Sequence, residues 1–334
     1  MTDLAPGPLS SWTWLTSWRF DAVGVVLSVL LLVPYVWLLV AAWRRGVQWP
    51  WWRIASYVVL GVGTLLYVTC GVVGVYRQTF LWMFAAQVAI IGTVTPMGLA
   101  VGDPLRLLAA ATGSTDTVLH RVVRSRIVRL LIFPAVSSVL DIGGILAVFF
   151  TGYGQRAIES ELVGTLLILQ LLIVGLIFVL PTLAEDLLPG WATPAVRTFL
   201  AFFDGIADAV PGILVMVANT TLFPHFPGFS AAADPLRSGL SHYMDQKYAG
   251  GALLAVAEGI GVPMLAAVFV EWLHSDAAEA RATDAELDRA EAARTPAATT
   301  APEGCHADQP ETVADQPWWL TDPRLADRYG KRDD

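Results

Sequence analysis

Long apolar stretches alternate with short polar ones along this chain, and their lengths set the expected fold class. A helix that crosses a bilayer needs about 20 apolar residues. Seven stretches reach or approach that length: Ala22 to Trp43, Ile54 to Tyr76, Thr79 to Val101, Ile127 to Thr151, Leu162 to Ala184, Val196 to Leu222 and Gly250 to Trp272. The pattern predicts an all-α fold, a polytopic membrane bundle of seven transmembrane helices spanning residues 22–273. Residues 1–21 form an N-terminal segment ahead of it. The first stretch carries no charge, no basic run precedes it and no small-residue cleavage site follows it. It is also too long for the apolar region of a cleaved signal, so it is read as a retained span. After His274 the pattern changes. Residues 274–294 are rich in Ala, Glu, Asp and Arg and predict a solvated acidic helix. Residues 295–334 carry Pro, Thr, Ala and acidic residues and predict a disordered tail, with an apolar island at Trp318, Trp319 and Leu320.

Basic residues orient such a bundle, because cytoplasmic loops carry the excess of Lys and Arg. Arg44, Arg45, Arg53, Arg106, Arg121, Arg124, Arg126, Arg129 and Arg197 fall on one side. Only Arg19, Arg77, Arg156, Arg237 and Lys247 fall on the other. This places the N-terminus outside and the C-terminus in the cytoplasm of a multi-pass cell-membrane protein.

Composition agrees. Charged residues make up 15% of the chain and mean hydropathy is +0.57, whereas soluble domains carry about 25% charge. An ordinary soluble enzyme is excluded. The net charge of −8 argues against nucleic acid as a partner, which requires a basic face. The two cysteines, Cys70 in an apolar stretch and Cys305 in the tail, predict neither a disulfide nor a thiolate metal site. No phosphate-binding loop, zinc spacing, dinucleotide fingerprint or internal repeat is present, and no enzymatic activity is expected.

Candidate chemistry lies in polar residues inside the apolar stretches, where ionisable groups are costly and functional by default. These are Gln87, Asp141, Gln170, Asp208 and Glu258, with Asp204 on the same helix face as Asp208. At 1.5 Å per residue, Asp141, Gln170 and Asp208 lie roughly 15–20 Å from the near end of their stretches, and Gln87 and Glu258 roughly 12 Å from the outer end. Five helices thus present polar groups to one interior cavity on this reading. Either they form an ion or proton site, or they tie helices together with protonated acids and amide bonds. Outside the membrane, His225, His242 and Met244 offer nitrogen and thioether donors suited to Cu(I). His120, His274 and His306 read as solvated.

The last stretch and its flanks carry the most specific pattern. Asp245-Gln246-Lys247-Tyr248-Ala249-Gly250-Gly251, then Glu258, Pro263, Trp272, Asp276, Glu279, Ala280 and Arg281, resemble the end of the CtaG family of cytochrome c oxidase assembly factors. Leu254 stands where that family has a Trp. Gly102-Asp103-Pro104 is similar to the end of its third span, and Phe150-Thr151-Gly152-Tyr153 to the end of its fourth. Phe178-Val179-Leu180-Pro181, with Asp186 and Pro189, is similar to the end of its fifth. The resemblance runs from about Trp12 to Asp288. It implies a seven-span, non-enzymatic bacterial membrane protein associated with copper insertion into the oxidase, with oxidase subunits and the lipid bilayer as partners. It also implies intramembrane histidines at positions where this chain has Phe84, Val88, Gly164, Ile168 and Gln170, and one near Asp208. Imidazole suits copper and these side chains do not, so a divergent relative with a degenerate metal site is expected.

Two further readings remain at this stage: a proton- or ion-coupled small-solute transporter using Asp141, Asp208 and Glu258, and a scaffold whose acidic helix binds a cytoplasmic partner. Gly250 and Gly251 are expected to permit close backbone approach where the seventh span begins. Asp245 is expected just before that span, favouring its N-terminus through the helix dipole.

Overall fold

The computed structural model describes residues 7–114, 125–183 and 194–294. Among these residues every regular element is a helix. The main ones are α1 (Ala22–Arg44), α2 (Trp51–Tyr76), α3 (Leu81–Thr112), α4 (Pro134–Phe150), α5 (Tyr153–Glu159), α6 (Glu161–Leu183), α7 (Pro194–Val217) and α8 (His242–Arg294). Short helices at Thr13–Thr16 and Arg126–Leu131 precede α1 and α4. The region 295–334, Asp186, His120, Arg121 and Arg124 lie outside the described residues.

Among the described residues, α1, α2, α3 and the Glu161–Val179 part of α6 are each long and apolar enough to cross a membrane. A fifth candidate joins α4 to α5 through a 68° bend. Hydropathy predicts seven spans, and the fourth, sixth and seventh stretches differ for local reasons. Pro134 has no N–H to donate, so it opens α4 rather than continuing the preceding helix. Gly152, at φ 74°, closes it with a left-handed turn. The helix α7 runs from Pro194 to Val217, and within it Gly205–Val217 is an apolar helix. It also stops five residues before the expected Leu222. The seventh stretch starts at His242 instead of Gly250, and its helix continues through the acidic region to Arg294.

The chain divides into two compact units, Met1–Asp276 and Ala277–Asp334. In the second, the described helical residues 277–290 are all exposed. In the first, α3 is the hub. Leu81, Met83, Phe84, Val88 and Ile91 are buried, while Val26, Leu30, Val33 and Trp37 of α1 face outward as a lipid-facing helix requires.

Helices in a bilayer gain no hydrophobic drive from one another and rely on close packing. Gly175 of α6 lies on the Gly92 carbonyl of α3, where any side chain would collide with main chain. On the other side of α3, Thr64 and Thr95 place their hydroxyls 2.9 Å apart. Both α2 and α3 carry π-helical stretches near these contacts, Ser56–Gly63 and Ile90–Val94. At the far end Asp103 breaks α3 in a left-handed conformation (φ 50°), accepts from the Arg106 N–H at 3.1 Å and pairs with Arg53 at 2.6 Å. Gly102-Asp103-Pro104 is therefore a helix break stabilised by an ion pair.

Candidate functional site

Two consecutive residues at the start of α8 organise one end of the bundle. Asp245 is fully buried. Its Oδ2 accepts from the Leu81 N–H at 3.0 Å and its Oδ1 from the Trp82 N–H at 3.1 Å. These are orphan donors of the first turn of α3, which has no side-chain cap of its own. The carboxylate also sits 3.2 Å from Nη2 of Arg237, itself only 3% exposed. Arg237 donates from Nη1 to the Gly228 carbonyl at 2.6 Å and lies over the Phe229 ring, which also stacks on His242 at 4.3 Å and meets Phe226 edge-on at 5.0 Å. Burial pushes the Asp245 carboxyl above its ordinary value, opposed by the Leu81 and Trp82 N–H groups, Arg237 and His242. Burial pushes the Arg237 guanidinium down, opposed by Asp245 and Asp234.

This corrects the expected position of Asp245: the residue lies inside the first turn of α8, because that helix begins at His242, where an acid still favours the helix N-terminus, and its carboxylate in addition caps α3.

Gln246 points to a different segment. Its Oε1 accepts from the Leu222 N–H at 3.0 Å, and its Nε2 donates to the Ala218 and Thr220 carbonyls at 3.2 and 3.0 Å. This withdraws 218–222 from α7. One helical turn later, Gly250 packs against Gly212 and Met216 of α7, with no room for a Cβ. Gly251 faces open space, so the close approach belongs to Gly250 alone.

A narrow pocket opens between α3 and α6. Phe84, Gln87, Val88 and Ile91 line one wall at i, i+3, i+4 and i+7. Gly164, Leu167, Ile168 and Leu171 line the other with the same spacing, and Arg77 and Ala157 complete it. Four positions where the resemblance implies histidine (Phe84, Val88, Gly164 and Ile168) thus meet in one place. None of the four has a lone pair to offer. A copper ion requires imidazole or sulfur donors, and the pocket's polar groups are one amide and one guanidinium, so its lining does not fit copper. Gln87 donates its Nε2 to the Val68 carbonyl at 2.7 Å, tying α3 to α2.

The other intramembrane polar residues lie on α4, α6, α7 and α8. Gln170 accepts from the Tyr153 hydroxyl at 3.0 Å. Asp141 and Asp208 are half-buried on α4 and α7, two helices that pack together, while Glu258 is exposed on α8. His225, His242 and Met244 have exposed side chains, and the His225 carbonyl accepts from Gln155. No group of three or more His, Cys, Asp or Glu side chains among the described residues is arranged to hold a metal ion. Asp186 lies outside the described residues. Sequence reasoning counted Arg77 and Arg237 only as loop charges. An arginine inside a loop rich in Phe, Pro and Gly, as Arg237 is, was the available signal.

No solved structure matches the chain. An uncharacterised protein of Mycobacterium bovis is 23% identical over 282 residues, covering 82% of this chain and 42% of the relative. An uncharacterised protein of Mycobacterium leprae is 22% identical over 279 residues, with 81% and 42% covered. The chain therefore spans about two fifths of the length of the curated relatives it matches. The model of the cytochrome c oxidase caa3 assembly factor family matches residues 33–275, which takes in the Asp245–Arg237 joint, the Gln246 clamp and both walls of the pocket, and the chain belongs to that family.

Proposed function

We propose that this protein acts without catalysis in the biogenesis of a respiratory cytochrome c oxidase, as a seven-span protein of the cell membrane with its N-terminus outside and its C-terminus in the cytoplasm. The family match over residues 33–275 carries this reading. On it, the structural frame of the family is kept while intramembrane copper ligation is lost. The apolar lining at Phe84, Val88, Gly164 and Ile168 supports that loss. The protein then serves oxidase assembly through contacts with oxidase subunits rather than by carrying the metal at this site. The transporter reading needs a shared polar path. Gln87 and Gln170 are engaged with other partners and Glu258 is exposed, so these three lend it no support.

The test is deletion of the gene in its host, followed by a difference spectrum of membranes for the haem of assembled oxidase. The expected result is loss of that signal, restored by the wild-type gene and also in copper-supplemented medium only when the gene is present. Normal oxidase content in the deletion strain would defeat the proposal.

A further inference from the structure

We propose that residues 7–20 form an interfacial anchor, seated in the lipid headgroup layer at this end of the bundle, with Trp12, Leu15, Trp18 and Phe20 turned to lipid. The segment is tied to the bundle by its main chain. The Tyr76 hydroxyl donates to the Gly7 carbonyl at 3.0 Å, and the Tyr67 hydroxyl to the Trp14 carbonyl at 3.1 Å. Gly71 is extended and interrupts α2, and the Cys70 carbonyl accepts from the Arg19 N–H at 2.7 Å. On the same side the Trp14 ring meets Trp82 and the Trp18 ring meets Tyr67 edge-on. With the bundle side occupied in this way, Trp12, Leu15, Trp18 and Phe20 remain between 56% and 78% exposed.

Helix lengths give the depth of this segment. Gly24 lies against Thr69 with no room for a Cβ, so the first turn of α1 is level with Thr69 of α2. The 23 residues of α1 run for about 34 Å, slightly more than the hydrocarbon core of about 30 Å. The edge of the core therefore falls near Asp21, which caps α1 by accepting from the Gly24 N–H at 2.8 Å. From Cys70 to Tyr76, α2 rises about 9 Å further, against roughly 5–8 Å for one headgroup layer. Residues 7–20 are pinned along this stretch, from Tyr67 to Tyr76, and so lie in that layer. Their chemistry suits it. Arg19 is the one charged residue among them and three are Trp. Tryptophan concentrates at the membrane–water interface, because its ring is apolar and its N–H polar. The exposed face also continues through Phe20 into the lipid-facing side of α1 at Val26, Leu30 and Val33. That continuity selects lipid, rather than a second protein, as its cover.

The experiment uses the full chain in nanodiscs of phosphatidylcholine and phosphatidylglycerol, in a Cys305→Ser background where buried Cys70 stays unlabelled. A nitroxide is attached at Leu15→Cys or at Phe20→Cys. Power-saturation spin resonance then reads its collisions with oxygen, which concentrates in lipid, and with a water-soluble nickel chelate. Leu30→Cys marks the hydrocarbon core, and Ala285→Cys, on the exposed acidic helix, marks water. Both nitroxides should read between these two references, within about 5–8 Å of the hydrocarbon edge. Trp12→Cys takes the place of either variant if that variant misfolds. The proposal is overturned if a nitroxide on the segment matches Ala285→Cys, which puts the segment in water, or matches Leu30→Cys, which puts it in the core. It is equally overturned if the nitroxide is shielded from both reagents, because a second copy or another protein then covers the face.

Discussion

Replacing Asp245 with leucine measures what holds α8 to α3. The substitution removes the acceptor for the Leu81 and Trp82 N–H groups and leaves Arg237 as an unpaired cation that is 3% exposed. Breaking one side of a buried ion pair costs about 3–5 kcal/mol. Each orphaned N–H adds about 1–3 kcal/mol where water cannot reach it. These costs overlap, and the loop can admit some water, so about 4 kcal/mol is the expected total. At ~2 °C per kcal/mol, the value for larger domains, the melting temperature should fall by about 8 °C. Asp245→Asn keeps one acceptor and should lose about half as much. Arg237→Met combined with Asp245→Leu removes both charges and should recover part of the loss. Cys70 is buried and free, so its reaction with a thiol-reactive dye on heating reports unfolding, in a Cys305→Ser background. The pH response has a definite sign. Because the folded carboxyl is shifted up, its contribution is fully present below the unfolded value of 3.8 and declines as pH rises through the shifted one. Acidification from pH 8 to pH 5 should not shrink the difference between wild type and Asp245→Leu. An Asp245→Leu protein that melts within 1–2 °C of wild type, about 1 kcal/mol or less, would refute the reasoning.

Gly250→Leu should lower the yield of folded protein through overpacking of about 1–3 kcal/mol against Gly212 and Met216, while Gly251→Leu, facing open space, should behave as wild type in the same size-exclusion assay. A cysteine at Gln155 should react with an impermeant maleimide in intact cells and one at Ser114 should not; the reverse pattern would invert the proposed topology. Copper titration of a His225→Ala/His242→Ala variant should show no tight site, because the pocket lining offers no imidazole or sulfur; stoichiometric Cu(I) binding that survives both changes would show a core site elsewhere.

The membrane-helix class was legible because long apolar runs have few other uses, but hydropathy measures composition and not continuity. It passed over Pro134, which opens a new helix inside the fourth stretch, and over Gly152 just beyond it, where α4 bends into α5, and it carried α7 through to Leu222. The pocket was legible in outline. Phe84 and Val88, like Gly164 and Ile168, are spaced i, i+4, so each pair must share a helix face. That the two faces meet, and that Arg77 joins them, depends on how the Gly92–Gly175 contact brings α3 to α6. Gln87 was recognised as a candidate for helix tying. Its acceptor, the Val68 main-chain carbonyl, leaves no mark in a sequence.

The Asp245–Gln246 pair shows why a motif is easier to find than to explain. Successive helical residues point roughly 100° apart, so two adjacent polar side chains near a helix start reach two different neighbours. Asp245 finds donors 164 and 163 positions away in the chain, and Gln246 finds the 218–222 segment. The first contact caps α3, whose wall lines the pocket, and the second ends α7 and frees the loop that carries Arg237. Arg237 in turn neutralises Asp245 only because that loop folds back over Phe229. Each partner is thus positioned by the other. This makes the joint cooperative, and it is why the loop charge on Arg237 reads as ordinary until the tertiary structure closes it against the start of α8.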